Sequence, residues 1–259
     1  VHTVIEGVIK PTASTEIILA GQNFGAPTTS SVYAWYGTPD LPKYYTASNC
    51  KVLNDTEITC NTASTIKTGI DRSGLRWIVQ IVDQESDQST NNDTRFETPV
   101  IKRIVNGHQL PTIVDESQNK FGAWVTLEGE HFGIAGLTTH GWYGKGQDKM
   151  KHYSATDCRV QNDTYIECRS VAVKTGIDRE GLQWVVQIED QESEQSLDTS
   201  TSYMPPLVSS LENNVGMTTE GGDTVSLIGL NFGYAGMNVS AYYGTPMEKY
   251  KYHATECSV

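Results

Sequence analysis

Long apolar runs are missing from this sequence: nothing in its 259 residues approaches the roughly 18 consecutive apolar positions of a membrane-crossing helix. Residues 1–10, VHTVIEGVIK, also lack the charged-then-apolar pattern of a signal peptide, so any secretion signal or anchor is expected outside this stretch. Positive charge is scarce. Nineteen basic residues against 31 acidic ones leave a net charge of −12, which repels a nucleic-acid backbone or an anionic membrane surface. Catalytic signatures are missing as well: there is no HExxH, GxSxG or phosphate-loop pattern. The six histidines do not recur at equivalent positions, and His131 stands where the sister segments have Asn23 and Asn231, which reads as a surface residue. Helical periodicity is nearly absent. No enzymatic activity and no cofactor are expected from such a chain.

What is present is repetition. CKVLNDTEITC (50–60) returns as CRVQNDTYIEC (158–168), and a third copy opens at Cys257. Further along, GIDRSGLRWIVQIVDQESDQS (69–89) answers GIDREGLQWVVQIEDQESEQS (176–196). Each copy begins with a GxNFG-like turn, at Gly21–Gly25, Gly129–Gly133 and Gly229–Gly233, followed by an aromatic-Tyr-Gly segment. A period of 107–108 residues divides the chain into repeat 1 (1–98), repeat 2 (99–205) and an incomplete repeat 3 (206–259). A unit of that size can hold its own core.

The cysteines fit a hairpin. Pairing Cys50 with Cys60 sets Val52 opposite Ile58 and predicts a three-residue loop at Asn54-Asp55-Thr56. Alternation then buries Cys50, Val52, Ile58 and Cys60 on one face and turns Lys51 and Thr59 outward. Directly opposed residues lie within disulfide range, and Cys158 and Cys168 repeat the pattern around Val160 and Ile166. Reduced core cysteines are the alternative; zinc is disfavoured because no His recurs beside each pair. Cys257 reads as half of a pair without a partner in these residues. Disulfides imply an oxidising, extracellular or cell-surface setting. Four sequons agree with it: Asn54 and Asn162 at the same hairpin loop of both repeats, Asn92 in the polar stretch between repeats, and Asn238 at a strand start. N-linked glycans are therefore expected, although Asn-Asp is also what a tight turn uses.

Strand signals are frequent. Ile17/Leu19, Val125/Leu127 and Val225/Leu227 alternate before the Gly-Phe-Gly turns, and Trp77/Val79/Ile81 and Trp184/Val186/Ile188 alternate later. Short strands punctuated by Gly-rich turns predict an all-β fold of two-sheet sandwiches, with Phe24, Phe132 and Phe232 plugging their ends. The ordered series G-x-N-F-G, Y-G strand, C-x2-L/Q-N-D-T-x-I-x-C and W-V-V-x-I resembles the IPT/TIG domain of plexins and other extracellular repeat proteins. The resemblance covers essentially the whole chain. It implies tandem early-set immunoglobulin-like β-sandwiches of about seven strands. These repeats run longer than that module, through a 103–122 loop and the TGIDRxGL segment. The DNA-binding relatives use basic loops that this acidic chain lacks.

The acidic runs Asp83-Gln-Glu85-Ser-Asp87 and Asp190-Gln-Glu192-Ser-Glu194, with Asp71 or Asp178 nearby, offer oxygen ligands for Ca²⁺, but they lack the Gly-punctuated spacing of a calcium loop and read equally as solvated turns. No metal is expected. Asp71-Arg72 and Asp178-Arg179 are expected to form local ion pairs. Pro99 and Pro206 open their repeats almost directly after polar stretches, so little free linker separates the domains and a semi-rigid rod is expected. The expected function is a structural, glycosylated extracellular rod or fibre of tandem IPT/TIG-like domains, self-assembling through other copies or neighbouring repeats. The alternative is the ectodomain of a plexin-like receptor or adhesion protein that binds a cell-surface protein or glycan.

Overall fold

The computed structural model describes residues 3–5, 7–29, 31–115, 117, 120–146 and 151–259, and among them every regular element is a β-strand. Repeat 1 contains β1 (Thr3–Ile5), β2 (Val8–Ile9), β3 (Glu16–Ala20), β4 (Val32–Gly37), β5 (Tyr45–Thr46), β6 (Ser48–Asn54), β7 (Glu57–Asn61), β8 (Arg76–Ile81), β9 (Gln84–Glu85) and β10 (Arg95–Phe96). One antiparallel sheet has the order β1-β3-β7-β6 and the other β5-β4-β8-β9, while β10 pairs in parallel with β2. Repeat 2 contains β11 (Val100–Val105), β12 (Trp124–Glu130), β13 (Thr139–Gly144), β14 (Tyr153–Ser154), β15 (Thr156–Asn162), β16 (Tyr165–Arg169), β17 (Gln183–Ile188) and β18 (Gln191–Glu192). Its sheets, β11-β12-β16-β15 and β14-β13-β17-β18, repeat the same plan. Repeat 3 contains β19 (Leu207–Glu212) paired with β20 (Ser226–Leu230), and β21 (Tyr242–Thr245) paired with β22 (Glu248–His253).

Period-2 alternation builds the core. In β3, Ile17 and Leu19 are buried between more exposed neighbours, and β7 presents Ile58 and Cys60 from the adjacent strand. Ala34, Tyr36, Trp77 and Val79 face them from the second sheet, and all belong to one apolar cluster. Trp77 and its counterpart Trp184 are each pinned on both sides. The Trp77 indole Nε1 donates to Thr94 Oγ1 at 2.9 Å while its backbone N–H donates to Ser89 Oγ; Trp184 does the same with Thr201 and Ser196. A buried indole N–H left without a partner would cost about 1–3 kcal/mol, so these hydroxyls select one position for the ring. Tyr36 and Tyr143 stack on their tryptophans with centroids 4.5 Å apart.

Three expectations need correction. The hairpin loop is a two-residue turn, Asp55-Thr56, because Asn54 still pairs with Glu57. Asn54 Oδ1 accepts from the N–H and the hydroxyl of Thr56, and this side-chain clamp tightens the turn. Residues 103–105 are not loop but the end of β11, and of the 103–122 segment, positions 116, 118 and 119 lie outside the described residues. Phe24 and Phe132 are buried, whereas Phe232 is half-buried, in a repeat whose strands are largely exposed.

Candidate functional site

Three sequence motifs that are far apart in the chain meet at the boundary between repeats 1 and 2. The GxNFG turn needs a left-handed residue at its third position: Asn23, His131 and Asn231 all have φ of 63°. Its first glycine admits a close approach, since a Cβ on Gly129 or Gly229 would lie 1.9 Å from the carbonyl oxygen of Val100 or Leu207. The Asn-Asp-Thr hairpin then fastens the turn. Phe24 N–H donates to the Asp55 carbonyl at 3.0 Å and Gly25 N–H to Asp55 Oδ1 at 2.9 Å. In repeat 2, Asp163 takes the equivalent bonds from Phe132 and Gly133 at 3.1 and 2.8 Å. The product is a cup rimmed by backbone carbonyls and a carboxylate.

Arginine fills that cup from the preceding repeat. Arg72, fully buried, donates through Nη2 to the His131 carbonyl at 2.8 Å and to the Glu97 carbonyl of its own repeat at 3.0 Å. Its backbone N–H and the Ser73 hydroxyl both donate to the carboxylate of Asp190. Gln191 Nε2 returns a bond to the Phe96 carbonyl at 2.9 Å, and Thr12 Oγ1 donates to Asp163 Oδ2 at 3.1 Å. Gly133 is packed beneath Ile66 and Pro11 of repeat 1. Burial pushes the Arg72 guanidinium down to about 10, with Asp190, Asp163, Tyr45 and Glu189 pulling the other way, so it remains a cation at neutral pH. Beside it, burial and the charges of Asp190 and Glu189 push the Asp71 carboxyl up.

The second boundary shares the arginine-to-turn contact, with Arg179 half-buried. Arg179 Nη1 donates to the Asn231 carbonyl at 3.3 Å, and Nη2 to the Phe232 carbonyl at 3.2 Å and to Met237 Sδ at 3.6 Å. A depression lined by Arg179, Pro206, Phe232, Asn238, Val239 and Ser240 adjoins this joint, beside the Asn238 sequon.

The Asp-Arg pairs are therefore not local ion pairs. Asp71 is exposed while Arg72 turns inward to the joint. His131 is not a free surface residue either. It is half-buried at the joint, with Nδ1 2.9 Å from Glu97 Oε2. Taken singly, the GxNFG turn, the N-D-T hairpin and T-G-I-D-R read as core plug, glycan acceptor and insertion; no one stretch carries the joint.

Cys50–Cys60 and Cys158–Cys168 are disulfides, with Cα separations of 4.1 and 4.0 Å, and Cys257 is free and half-buried. Asn54 and Asn162 are exposed on their hairpins, and Asn92 and Asn238 are also exposed. The threonine of the Asn92 sequon, Thr94, is buried with its hydroxyl engaged by Trp77. The acidic runs are dispersed: Glu85 pairs with Lys43 at 2.5 Å, Glu192 with Lys151, and Asp190 serves the joint. Among the described residues no group of three or more His, Cys, Asp or Glu is placed to hold a metal ion. Outward-facing Trp35 and Trp142 are capped by Lys43 and Lys151 at 4.6 and 4.5 Å from the ring centroids, so neither ring is an open stacking platform.

No protein-family model matches the chain, and no curated protein matches it. Among solved structures, a crystal structure with xylogluco-oligosaccharide is 16% identical, with 90% of this chain and 47% of that chain covered and a TM-score of 0.38. A biofilm associated protein, BSP domain, is 9% identical over 76% of this chain and 28% of that one, with a TM-score of 0.22. The chain thus spans about half the length of the first of these.

Proposed function

We propose that this chain is a non-catalytic structural element: a glycosylated extracellular rod or fibre segment built from tandem IPT/TIG-like sandwiches. The observation that carries this reading is the arginine joint, which occurs at both repeat boundaries with the same donor loop and the same acceptor turn. A flexible string of binding modules needs no buried interdomain cation. A rigid array gains from one, because each domain must hold a fixed attitude to the next.

The two disulfides support an oxidising compartment. Asn54 and Asn162 are the leading glycan sites, on exposed hairpins, with Asn92 and Asn238 as further acceptors. The acidic surface suits a solvated filament whose partners are other copies of itself.

The test is electron microscopy of protein isolated from its native source, with glycopeptide mass spectrometry on the same sample. Long filaments with an axial repeat near the domain length, and sugars on Asn54 and Asn162, are the expected result. Separate short rods carrying a membrane-spanning tail would replace this reading with that of a receptor ectodomain.

A further inference from the structure

The outer end of repeat 1 has the same make-up as the filled cups, yet it is open. Asn23 shares the φ of His131 and Asn231, and Asp55 fastens Phe24 and Gly25 as Asp163 fastens Phe132 and Gly133. On the adjoining β8–β9 turn, Asp83 and Gln84 correspond to Asp190 and Gln191, the residues that receive Arg72, Ser73 and Phe96 of the neighbour. Gly133 and Gln191 are buried by that neighbour, and Gly233 is buried beneath Arg179 and Met237. In repeat 1, by contrast, Asn23, Gly25, Asp83 and Gln84 are all exposed, and Val82 between the two sites is 60% exposed. A valine held at φ 59° and facing solvent is costly.

We propose that this end of repeat 1 is a docking surface whose occupant is the arginine-bearing T-G-I-D-R loop of another repeat of this type, joined head to tail ahead of it. The proposal rests on the array reading above and adds the chemistry of its extension. The Asn23 carbonyl takes the guanidinium as the His131 carbonyl takes Arg72. Asp83 takes the loop's backbone N–H and serine hydroxyl as Asp190 does, and Gln84 donates to the carbonyl that closes the incoming repeat. Charge complementarity favours this occupant, because the cup offers Asp55 and Asp83 to a single buried cation.

The test uses the whole chain with residues 1–100 duplicated in tandem ahead of Val1. Thr3 pairs with Ala20 where Arg103 pairs with Glu128, so 100 added residues restore the spacing of the natural joints. Hydrogen exchange read by mass spectrometry compares segment 22–28 with 130–136, the filled cup in the same molecule. In the unmodified chain 22–28 is expected to exchange faster. In the duplicated chain the 22–28 peptide, present once in an open and once in a filled cup, is expected to split into a fast population and one slowed by about tenfold or more, toward the rate of 130–136. Arg72→Gln in the added copy alone is expected to restore fast exchange, while protection of that copy's Trp77 strand reports that it is folded.

Unchanged exchange in the duplicated chain overturns the proposal, as does protection that survives Arg72→Gln. Protection that appears in the unmodified chain as its concentration rises also overturns it, because every T-G-I-D-R loop in this chain is already seated and a different surface would be docking. Absence of filaments in native material would remove the array reading and leave a positive exchange result standing. Failed protection with filaments present would remove the docking surface alone.

Discussion

Tyr203 occupies in repeat 2 the position held by Phe96 in repeat 1: each donates its backbone N–H to the carbonyl of the joint arginine, Arg179 or Arg72. The extra hydroxyl is absorbed by a chain of bonds, donating to the Val171 carbonyl at 2.8 Å and lying 2.8 Å from the Tyr143 hydroxyl. Burial pushes Tyr45 and Tyr143 up to about 12 and Tyr36, Tyr153 and Tyr203 upward as well, outweighing the opposing charges of Arg72 at Tyr45 and Arg179 at Tyr153 and Tyr203. For Tyr203 the neighbouring Tyr143 adds to the effect. An acid whose folded-state value lies above its unfolded one contributes stability that is complete below the unfolded value. That stability is lost as pH rises toward the folded value. The window here runs from about pH 10, the ordinary phenol value, to about 12. A tyrosine held at about 12 gives up on the order of 2–3 kcal/mol across it. Denaturant unfolding at stepped alkaline pH should therefore show midpoints falling across this window, most steeply for repeat 2, which has three such tyrosines. Tyr203→Phe should flatten that fall. A native state that ionises these phenols near pH 10 without losing stability would show that the hydroxyls are not held as described.

At the scale of elements, the disulfide hairpins tie the edge of one sheet. Cys50 lies on edge strand β6 and Cys60 on β7, which pairs on both of its sides. The bond closes a short loop, so Cys50→Ala with Cys60→Ala should destabilise repeat 1 by roughly 2–3 kcal/mol. Repeat 2 keeps its own bridge and serves as the internal reference in a melting experiment; coincident transitions for the two repeats would show that the bond adds nothing. These elements were legible in the sequence because their information is local. Period-2 alternation places Val52, Ile58 and Cys60 on one buried face, and cross-strand pairing follows from it. The turn length was misread because it depends on Asn54 Oδ1 clamping Thr56, a side-chain detail that alternation does not carry. The joint was not legible from any one stretch. Arg72 meets Asp190 across 118 residues of sequence, and only the geometry of two closed sandwiches brings them together. An arginine beside an aspartate reads as a surface ion pair until the fold turns the two side chains apart.

These 259 residues are uneven in closure. In repeats 1 and 2 the GxNFG strand is paired on both sides, β3 between β1 and β7 and β12 between β11 and β16. In repeat 3 the equivalent β20 pairs with β19 alone among the described residues, and β21 pairs only with β22. Their apolar positions consequently face solvent: Leu207 is 54% exposed, Leu230 61% and Tyr250 78%. A two-stranded ribbon is marginally stable in water, and the conformational entropy of ordering it is not offset unless a second layer covers it. Arg179 holds the repeat at one end, through the Asn231 and Phe232 carbonyls and Met237 Sδ. Limited proteolysis of the 259-residue chain should therefore cut first within 206–259 and leave a core ending near Pro205, with both disulfides intact. The cut sites should concentrate at 213–223, an exposed connection that contains Gly216, Gly221 and Gly222 at positive φ. If 206–259 instead resists cleavage as long as repeat 2 does, its open sheets must be covered by strands from another molecule. Cross-linking at rising concentration would then find repeat 3 at the contact, and the array would have a second means of joining besides the arginine cup.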